Sequence, residues 1–185
     1  MRWTTSTSWR KRARSPAGGL PQAVSERARR YVWGDPDAFA AGAAGLSGLD
    51  VLRRVVAGEL PQAPMAATLG VRLVEVAEGR AVFAGEPAEY HYNPIGTVHA
   101  GFALTLLDSA MGCALVATLE DAAVPWTTLE VKGNFTRALT VASGAVRCTG
   151  TVLHLGRTVA TTEARLEDAA GRLCAHGTST ILIRR

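Results

Sequence analysis

The sequence predicts an α+β domain in which one long helix lies across a curved antiparallel sheet of about six strands. Three observations support this fold class. Residues 99–119 are almost wholly apolar over a helical length. Two β-like segments precede this helix and four follow it, and the short connections between the last four require antiparallel neighbours. Such a sheet has one face to bury, and only residues 99–119 are apolar enough to cover it.

The chain ahead of this domain divides into a basic segment and a helical extension. Residues 1–30 hold eight Lys/Arg and one acid, whereas residues 31–185 hold twelve Lys/Arg and fifteen acids. Residues 1–24 have no periodicity and no apolar core of a secretory signal, so we expect a disordered basic tail. Such a tail could touch nucleic acid or a membrane surface, but we favour a plain extension and expect neither partner.

Residues 25–62 are interpreted as a helical N-terminal extension, and residues 63–185 as the main domain. We predict one helix in SERARRYVW (25–33) and a second in GLDVLRRVVAGEL (48–60), which has apolar residues on one face. Prolines at positions 61 and 64 end the second helix.

The strands are predicted from alternation and turn signals. VRLVEV (71–76) and RAVFAGE (80–86) flank a short turn, AEG, which indicates a hairpin. In residues 127–135, Leu129, Val131 and Phe135 are expected to face one way and the polar residues the other. The last three strands cover about 145–154, 158–167 and 172–183, with LGR and EDAAGR as the turns.

The long helix contains one carboxylate, that of Asp108. The helix is nearly as long as a membrane span, but Asp108 interrupts it and the strands need a helix to pack on, so we predict a core helix. A buried carboxylate is costly without a partner. Either a neighbouring hydroxyl such as that of Thr105 satisfies Asp108, or Asp108 acts as a general base or nucleophile in a dry pocket.

The segment before the helix offers hydrogen-bond donors. Helix N-termini expose unpaired N–H groups, so the N–H of Ala100 or Gly101 could polarise a carbonyl oxygen, with the amide of Asn93 as a second donor. Ala100 precedes Asp108 by eight residues, or about 12 Å along a helix axis. One chain therefore cannot easily place both groups on one carbonyl carbon. We predict an obligate dimer whose antiparallel helices form two composite sites.

Other chemistries find little support in the sequence. The four histidines show no metal-binding spacing, so we expect no metal. Ser109 lies in no G-x-S-x-G elbow, and no P-loop or dinucleotide motif indicates a cofactor. Three cysteines, an odd number without a CxxC pair, indicate reduced thiols in a cytoplasmic protein. Cys113, inside the helix, is best explained by core packing.

Three stretches of the chain resemble the hotdog-fold acyl-CoA thioesterases of the PaaI (phenylacetate-degradation) type. They are HYNPIGTVHAGFALTLLDSAMGCAL, TTLEVKGNFTRAL and GRTVATTEARLEDAAGRLCAHGTS, and the similarity spans roughly residues 46–183. The resemblance implies a long helix wrapped by an antiparallel sheet, assembled into dimers or tetramers. It also implies an acyl-CoA substrate, with coenzyme A as part of the substrate and no separate cofactor.

The resemblance assigns roles to individual residues. Asp108 matches the acid that activates water or attacks the thioester, and Thr128 matches a hydroxyl residue that orients the water. Asn93 and His99 match polar positions of the donor loop, where we expect His99 to position its neighbours. Ala100 matches the residue whose backbone N–H polarises the thioester carbonyl.

Two departures from the family pattern occur near this site. The family's His-Gly-Gly is here His99-Ala100-Gly101, which keeps the N–H and adds a methyl group. At residues 135–139 the sequence is FTRAL, which retains Arg137 but lacks the proline that usually follows this arginine in the family. Gly101 allows close approach of a ligand, and Arg137 and Arg157 could meet the phosphates of coenzyme A or could be solvated loop charges.

Two alternative functions remain open on the same scaffold. One is a non-catalytic sensor of acyl-CoA or another acyl ligand, because a fold does not fix a function. The other is a hotdog-type enoyl-CoA hydratase, whose Asp/His motif is not found here. The thioesterase interpretation explains Asp108, which a sensor would not need.

Overall fold

The computed structural model describes residues 27–184, so the predicted tail over residues 1–24 lies outside the described residues. Residues from Tyr31 onward form one compact unit, distinct from the unit that holds residues 27–30. The helices are α1 (Pro36–Ala43), α2 (Gly48–Ala57), α3 (Pro64–Leu69) and α4 (Ala100–Val116), with 3₁₀ turns at Glu89–His91 and Val141–Ser143. The strands are β1 (Val71–Ala77), β2 (Arg80–Gly85), β3 (Trp126–Phe135), β4 (Val146–Leu155), β5 (Val159–Glu167) and β6 (Leu173–Ile183).

The six strands form one antiparallel sheet in the order β1-β2-β4-β5-β6-β3. The predicted fold class is therefore confirmed. The expected pairing of neighbours among the last four strands holds for β4, β5 and β6, but β3 pairs with β6 and not with β4. Residues 136–145 connect β3 to β4, and this connection is long enough to carry the chain across the sheet.

Helix α4 lies against the sheet as its apolar composition requires. Ten of its seventeen residues are buried, and Leu106, Leu107, Ala110 and Met111 have no exposed surface. The helix passes close to the sheet at Gly150 of β4, where an added Cβ would lie 2.3 Å from the carbonyl group of Ala110. In the described part of the chain, no helix is long and apolar enough to cross a membrane.

The N-terminal helices differ from the prediction. The helix predicted in SERARRYVW is wrong for its described part, because residues 27–35 form no helix. Val32 and Trp33 are 77% and 61% exposed, so no apolar face is buried to stabilise a helix there. The first helix begins at Pro36 instead, where the Asp35 side chain accepts a hydrogen bond from the Asp37 N–H at 2.9 Å.

Helix α2 confirms the second predicted helix, and Gly58, in the left-handed conformation, ends it before the prolines. Helix α3 was not predicted. Pro64 opens it and Gly70, also left-handed, ends it, so a proline read as a stop is in fact a start. Helical structure thus continues past residue 62, and helices α1 to α3 (residues 36–69) are called the helical layer below.

The helical layer packs on the same core as α4. Val51, Leu52 and Val55 of α2 are buried in this core. The side chain of Gln62 binds both backbone groups of Leu73: its amide nitrogen donates to the Leu73 carbonyl at 3.2 Å, and its oxygen accepts from the Leu73 N–H at 3.0 Å. Since β1 is an edge strand, Gln62 attaches the layer to the edge of the sheet.

Strand β3 does not alternate as predicted. The register between β3 and β6 shifts between Thr128 and Glu130, which places a bulge at Leu129. Leu129 is 57% exposed and Phe135 is also exposed, whereas Thr128 and Val131 are half-buried. The expectation that Leu129, Val131 and Phe135 face one way is therefore wrong for Leu129, because a bulge inserts one extra residue and reverses the alternation across it. Val131 and Phe135 both lie beyond the bulge, in unbroken register with β6, and keep a common face.

Candidate functional site

Asp108 lies in the third turn of α4 and receives a hydrogen bond from β3. The hydroxyl of Thr128 donates to Asp108 Oδ1 at 3.0 Å. Thr105, the alternative partner, instead donates to the Gly101 carbonyl at 2.9 Å. Within residues 27–184, Thr128 supplies the one hydrogen bond to this carboxylate, so Oδ2 accepts none there. The two residues to which the family resemblance assigns water activation thus lie together, with one carboxylate oxygen available.

The carboxylate of Asp108 faces an apolar cavity of about 380 Å³ between α4, the start of β3 and the helical layer. Phe39, Met65 and Trp126 line it, although no local pattern in the sequence indicates a role for any of them. Cys113 also lines the cavity. Burial, together with the nearby charge of Asp108, raises the pKa of the Cys113 thiol to about 12, so this thiol stays neutral.

The loop before α4 is shaped by Asn93. The Asn93 side-chain oxygen accepts hydrogen bonds from the N–H groups of Ile95 and Thr97 at 3.1 and 3.2 Å, and its amide nitrogen donates to the Thr97 hydroxyl at 2.9 Å. Gly96 has a φ of 81°, a conformation that favours glycine. The structure thus gives Asn93 a loop-closing role, and its role as an oxyanion donor stays a prediction.

His99 caps α4. Its Nδ1 accepts a hydrogen bond from the Gly101 N–H at 2.9 Å, and its role in positioning neighbours for catalysis stays a prediction. Gly101 lies close to the cap, since an added Cβ would be 3.0 Å from His99 Nδ1. Of the two candidate donors, the Gly101 N–H is therefore occupied. The Ala100 N–H makes no hydrogen bond within the described residues.

The Ala100 N–H lies beside a second cavity of about 370 Å³, lined by residues of the donor loop and of the chain after β3. Arg137 lines this cavity together with Asn93 and His99. Arg157 lies in the turn between β4 and β5, exposed and outside both cavities. Contacts of Arg137 and Arg157 with phosphates stay predictions.

The two cavities share no lining residue. One holds the carboxylate of Asp108 and the other the N–H of Ala100, and Asp108 follows Ala100 by eight positions, or about 12 Å along α4. The described chain alone does not bring a base and a donor to one carbonyl group. Among the described residues, no group of three or more His, Cys, Asp or Glu could hold a metal ion.

Comparison with known proteins agrees with this architecture. A family model described as "Thioesterase superfamily" matches residues 95–175. The human protein named acyl-coenzyme A thioesterase 13 is 32% identical over 111 residues, which are 60% of this chain and 77% of that protein. The 1,4-dihydroxy-2-naphthoyl-CoA hydrolase of Listeria monocytogenes is 25% identical over 118 residues, 64% of this chain and 94% of that protein.

Solved structures lead to the same class. A mutant of the phenylacetic acid degradation protein PaaI from Thermus thermophilus has a TM-score of 0.59 and 30% identity, covering 66% of this chain and all of that one. A phenylacetic acid degradation-related protein from Ralstonia eutropha, described as a putative thioesterase, has a TM-score of 0.64 and 28% identity, covering 71% and 98%. The long helix, the antiparallel sheet and the carboxylate beside an apolar cavity thus define a hotdog-fold hydrolase. The chain belongs to the thioesterase superfamily and is a hotdog-fold thioesterase of the PaaI type.

Proposed function

We propose that this thioesterase hydrolyses an acyl-CoA to the free acid and coenzyme A. The 3.0 Å hydrogen bond that holds the Asp108 carboxylate beside the apolar cavity carries this proposal. The names of the human and Listeria relatives, which both refer to CoA thioesters, support the substrate class.

In the proposed reaction Asp108 is the general base. Thr128 holds Oδ1, and Oδ2 accepts a proton from a water molecule as the water oxygen attacks the thioester carbonyl carbon. The carbonyl oxygen becomes negatively charged in the tetrahedral intermediate. Collapse of this intermediate breaks the carbon–sulfur bond and releases the acid. Asp108 then gives its proton to the thiolate of coenzyme A. No step requires a metal or a separate cofactor.

The donor for the negatively charged oxygen comes from a second copy of the chain. If two α4 helices run antiparallel about a two-fold axis, the helix N-terminus of one subunit approaches Asp108 of the other. Ala100 of the partner subunit then offers its free N–H, and Asn93 of the partner subunit offers its side-chain amide. Within the described residues His99 occupies the neighbouring Gly101 N–H, so Ala100 has the backbone N–H that is left unbonded at this end of α4, which supports its proposed role as the donor.

The substrate's coenzyme A would contact the donor-loop cavity, where Arg137 can pair with a phosphate. Arg157 is assigned to the same substrate from the exposed β4–β5 turn. The three cysteines are free thiols, which supports a reducing, cytoplasmic location.

The proposal is tested by release of free thiol from a panel of acyl-CoAs. We expect Asp108→Asn to lower kcat by roughly 10²- to 10⁴-fold, the usual contribution of a general base. Asp121→Asn is the matched control: Asp121 is exposed and its acceptor oxygen, which caps the Ala123 N–H, is retained in asparagine. Equal rates for Asp108→Asn and the wild type would remove Asp108 from the reaction. Binding without thiol release for every acyl-CoA would instead favour the sensor alternative.

A further inference from the structure

We propose that the helical layer forms the acyl-binding wall of the Asp108 cavity and selects uncharged, apolar acyl groups of medium size. The inference rests on the proposed thioesterase function and adds to it the substrate class and the residues that set it. The layer ends at residue 69, before the match to the thioesterase superfamily begins at residue 95. One wall of the acyl pocket would therefore lie outside the part of the chain that this family model matches, while α4 and β3 supply the opposite wall from inside it.

The position of the cavity supports an acyl group as its occupant. Asp108 and Thr128 lie on one wall, and Phe39 of α1 and Met65 of α3 lie on the helical-layer side. A thioester whose carbonyl carbon is held at the carboxylate must direct its acyl chain or its coenzyme A into this space. Coenzyme A carries phosphates, and none of the residues that line the cavity in the described part of the chain is Lys, Arg or His. The acyl chain is therefore the part that fits.

The polar groups of the cavity do not suit a charged acyl group. Asp108 is negatively charged when it acts as a base, and it would repel a second carboxylate. The Cys113 thiol is neutral because burial raises its pKa. The amide of Gln62 is already bonded to both backbone groups of Leu73. An acyl group that ends in a carboxylate would lose its hydration and meet no cationic partner among the lining residues in the described part of the chain.

The size of the cavity sets the length of the acyl group. Its volume is about 380 Å³, and an apolar cavity of about 150 Å³ is enough to hold benzene. A chain of about eight to twelve carbons, or a two-ring aromatic group, would fill this space by that measure. Each further methylene buried there should strengthen binding about fourfold until the space is full.

The wall is tested by narrowing it with a larger side chain. Met65 lines the cavity and is exposed, so Met65→Trp adds bulk at the cavity without overfilling the core. Val56→Trp is the matched control, since Val56 lies in the same layer, is exposed and does not line the cavity. Thiol release is measured for a series from butyryl-CoA to tetradecanoyl-CoA.

We expect kcat/KM for dodecanoyl-CoA relative to butyryl-CoA to fall at least tenfold in Met65→Trp, the lower end of what one methylene contributes to discrimination in an apolar pocket. The same ratio should change less than twofold in Val56→Trp. If kcat/KM depends on acyl chain length in Met65→Trp as it does in the wild type, the inference is overturned and the thioesterase function is unaffected.

A second comparison tests charge. Hexanoyl-CoA and its analogue with a terminal carboxylate on the same six-carbon chain differ only at the end of the acyl group. We expect at least a hundredfold lower kcat/KM for the carboxylate, and similar values would overturn the inference.

Binding to Asp108→Asn separates the inference from the proposed function. Its Kd for the same series should fall with chain length, and adding Met65→Trp should abolish this trend. If no substrate is hydrolysed by the wild type but this Kd pattern is found, the proposed function fails and the acyl wall stands. A Kd that does not depend on chain length would overturn the proposed acyl-binding wall, whatever rates of thiol release are measured.

Discussion

The proposed composite site can be tested directly at Ala100, the first residue of α4. Ala100→Pro removes the backbone N–H that is proposed to hold the oxyanion and leaves every side chain of the mechanism in place. The first helical position accepts proline because its N–H has no partner inside the helix. The preceding residue, His99, has φ −60° and ψ 138°, which is the extended conformation that proline requires before it.

The expected effect on catalysis is large and that on stability is small. Loss of one oxyanion donor typically lowers kcat by about 10²- to 10³-fold, or 2.7–4 kcal/mol in the transition state. Since the Ala100 N–H makes no hydrogen bond within the described residues, we expect Tm to stay within about 4 °C of the wild type. Ala100→Gly is the matched control, because it retains the N–H and restores the family's His-Gly-Gly, and it should keep most of the activity.

Mixed dimers locate the donor and the base on different chains. Ala100→Pro and Asp108→Asn chains are co-expressed with different affinity tags, and the heterodimer is purified on both. In a composite site one of its two sites combines the intact Asp108 with the intact Ala100, so thiol release should recover to about half of the wild-type rate. A heterodimer as inactive as the two parents would place both groups in one chain and refute the reasoning from the 12 Å separation.

Two further substitutions test contacts described above. Thr128→Val removes the hydroxyl that holds Asp108 and should lower kcat roughly 10- to 100-fold, the range of a hydrogen bond to a charged group. Thr128→Ser keeps the hydroxyl and should retain most of the rate. Equal rates in both variants would show that the hydroxyl takes no part in catalysis. Gly150→Ala places a Cβ 2.3 Å from the Ala110 carbonyl and should lower the free energy of unfolding by about 1–3 kcal/mol in a denaturant titration. An unchanged denaturation midpoint would show that α4 does not approach β4 so closely.

The sequence was sufficient for the elements whose pattern is local. The unbroken apolar run predicts α4, and turn signals predict the hairpins of β1 with β2 and of β4 with β5 and β6. The contact between Thr128 and Asp108, twenty residues apart, is not visible in any local pattern. It was expected only because the chain resembles a known family.

Other features depend on tertiary structure that a local pattern does not contain. Residues 27–33 have helix-forming residues but bury no apolar face, so the predicted helix has nothing to stabilise it. Helix α3 is too short to show a period, although Pro64 and Gly70 at its ends were a usable signal. The bulge at Leu129 and the pairing of β3 with β6 depend on a partner strand about fifty residues away in the chain. The cavity wall likewise needs α1 and α3 to be assembled before Phe39 and Met65 meet.

The contact of Gln62 with Leu73 has a consequence for shortened forms of the protein. Gln62 occupies both the N–H and the carbonyl of a residue on an outer strand, and free groups of this kind recruit strands from other molecules. A chain that starts after the layer would leave that strand open to self-association. The segment that shapes the acyl pocket therefore also protects the edge strand from aggregation, and its removal would abolish acyl selection and this protection together.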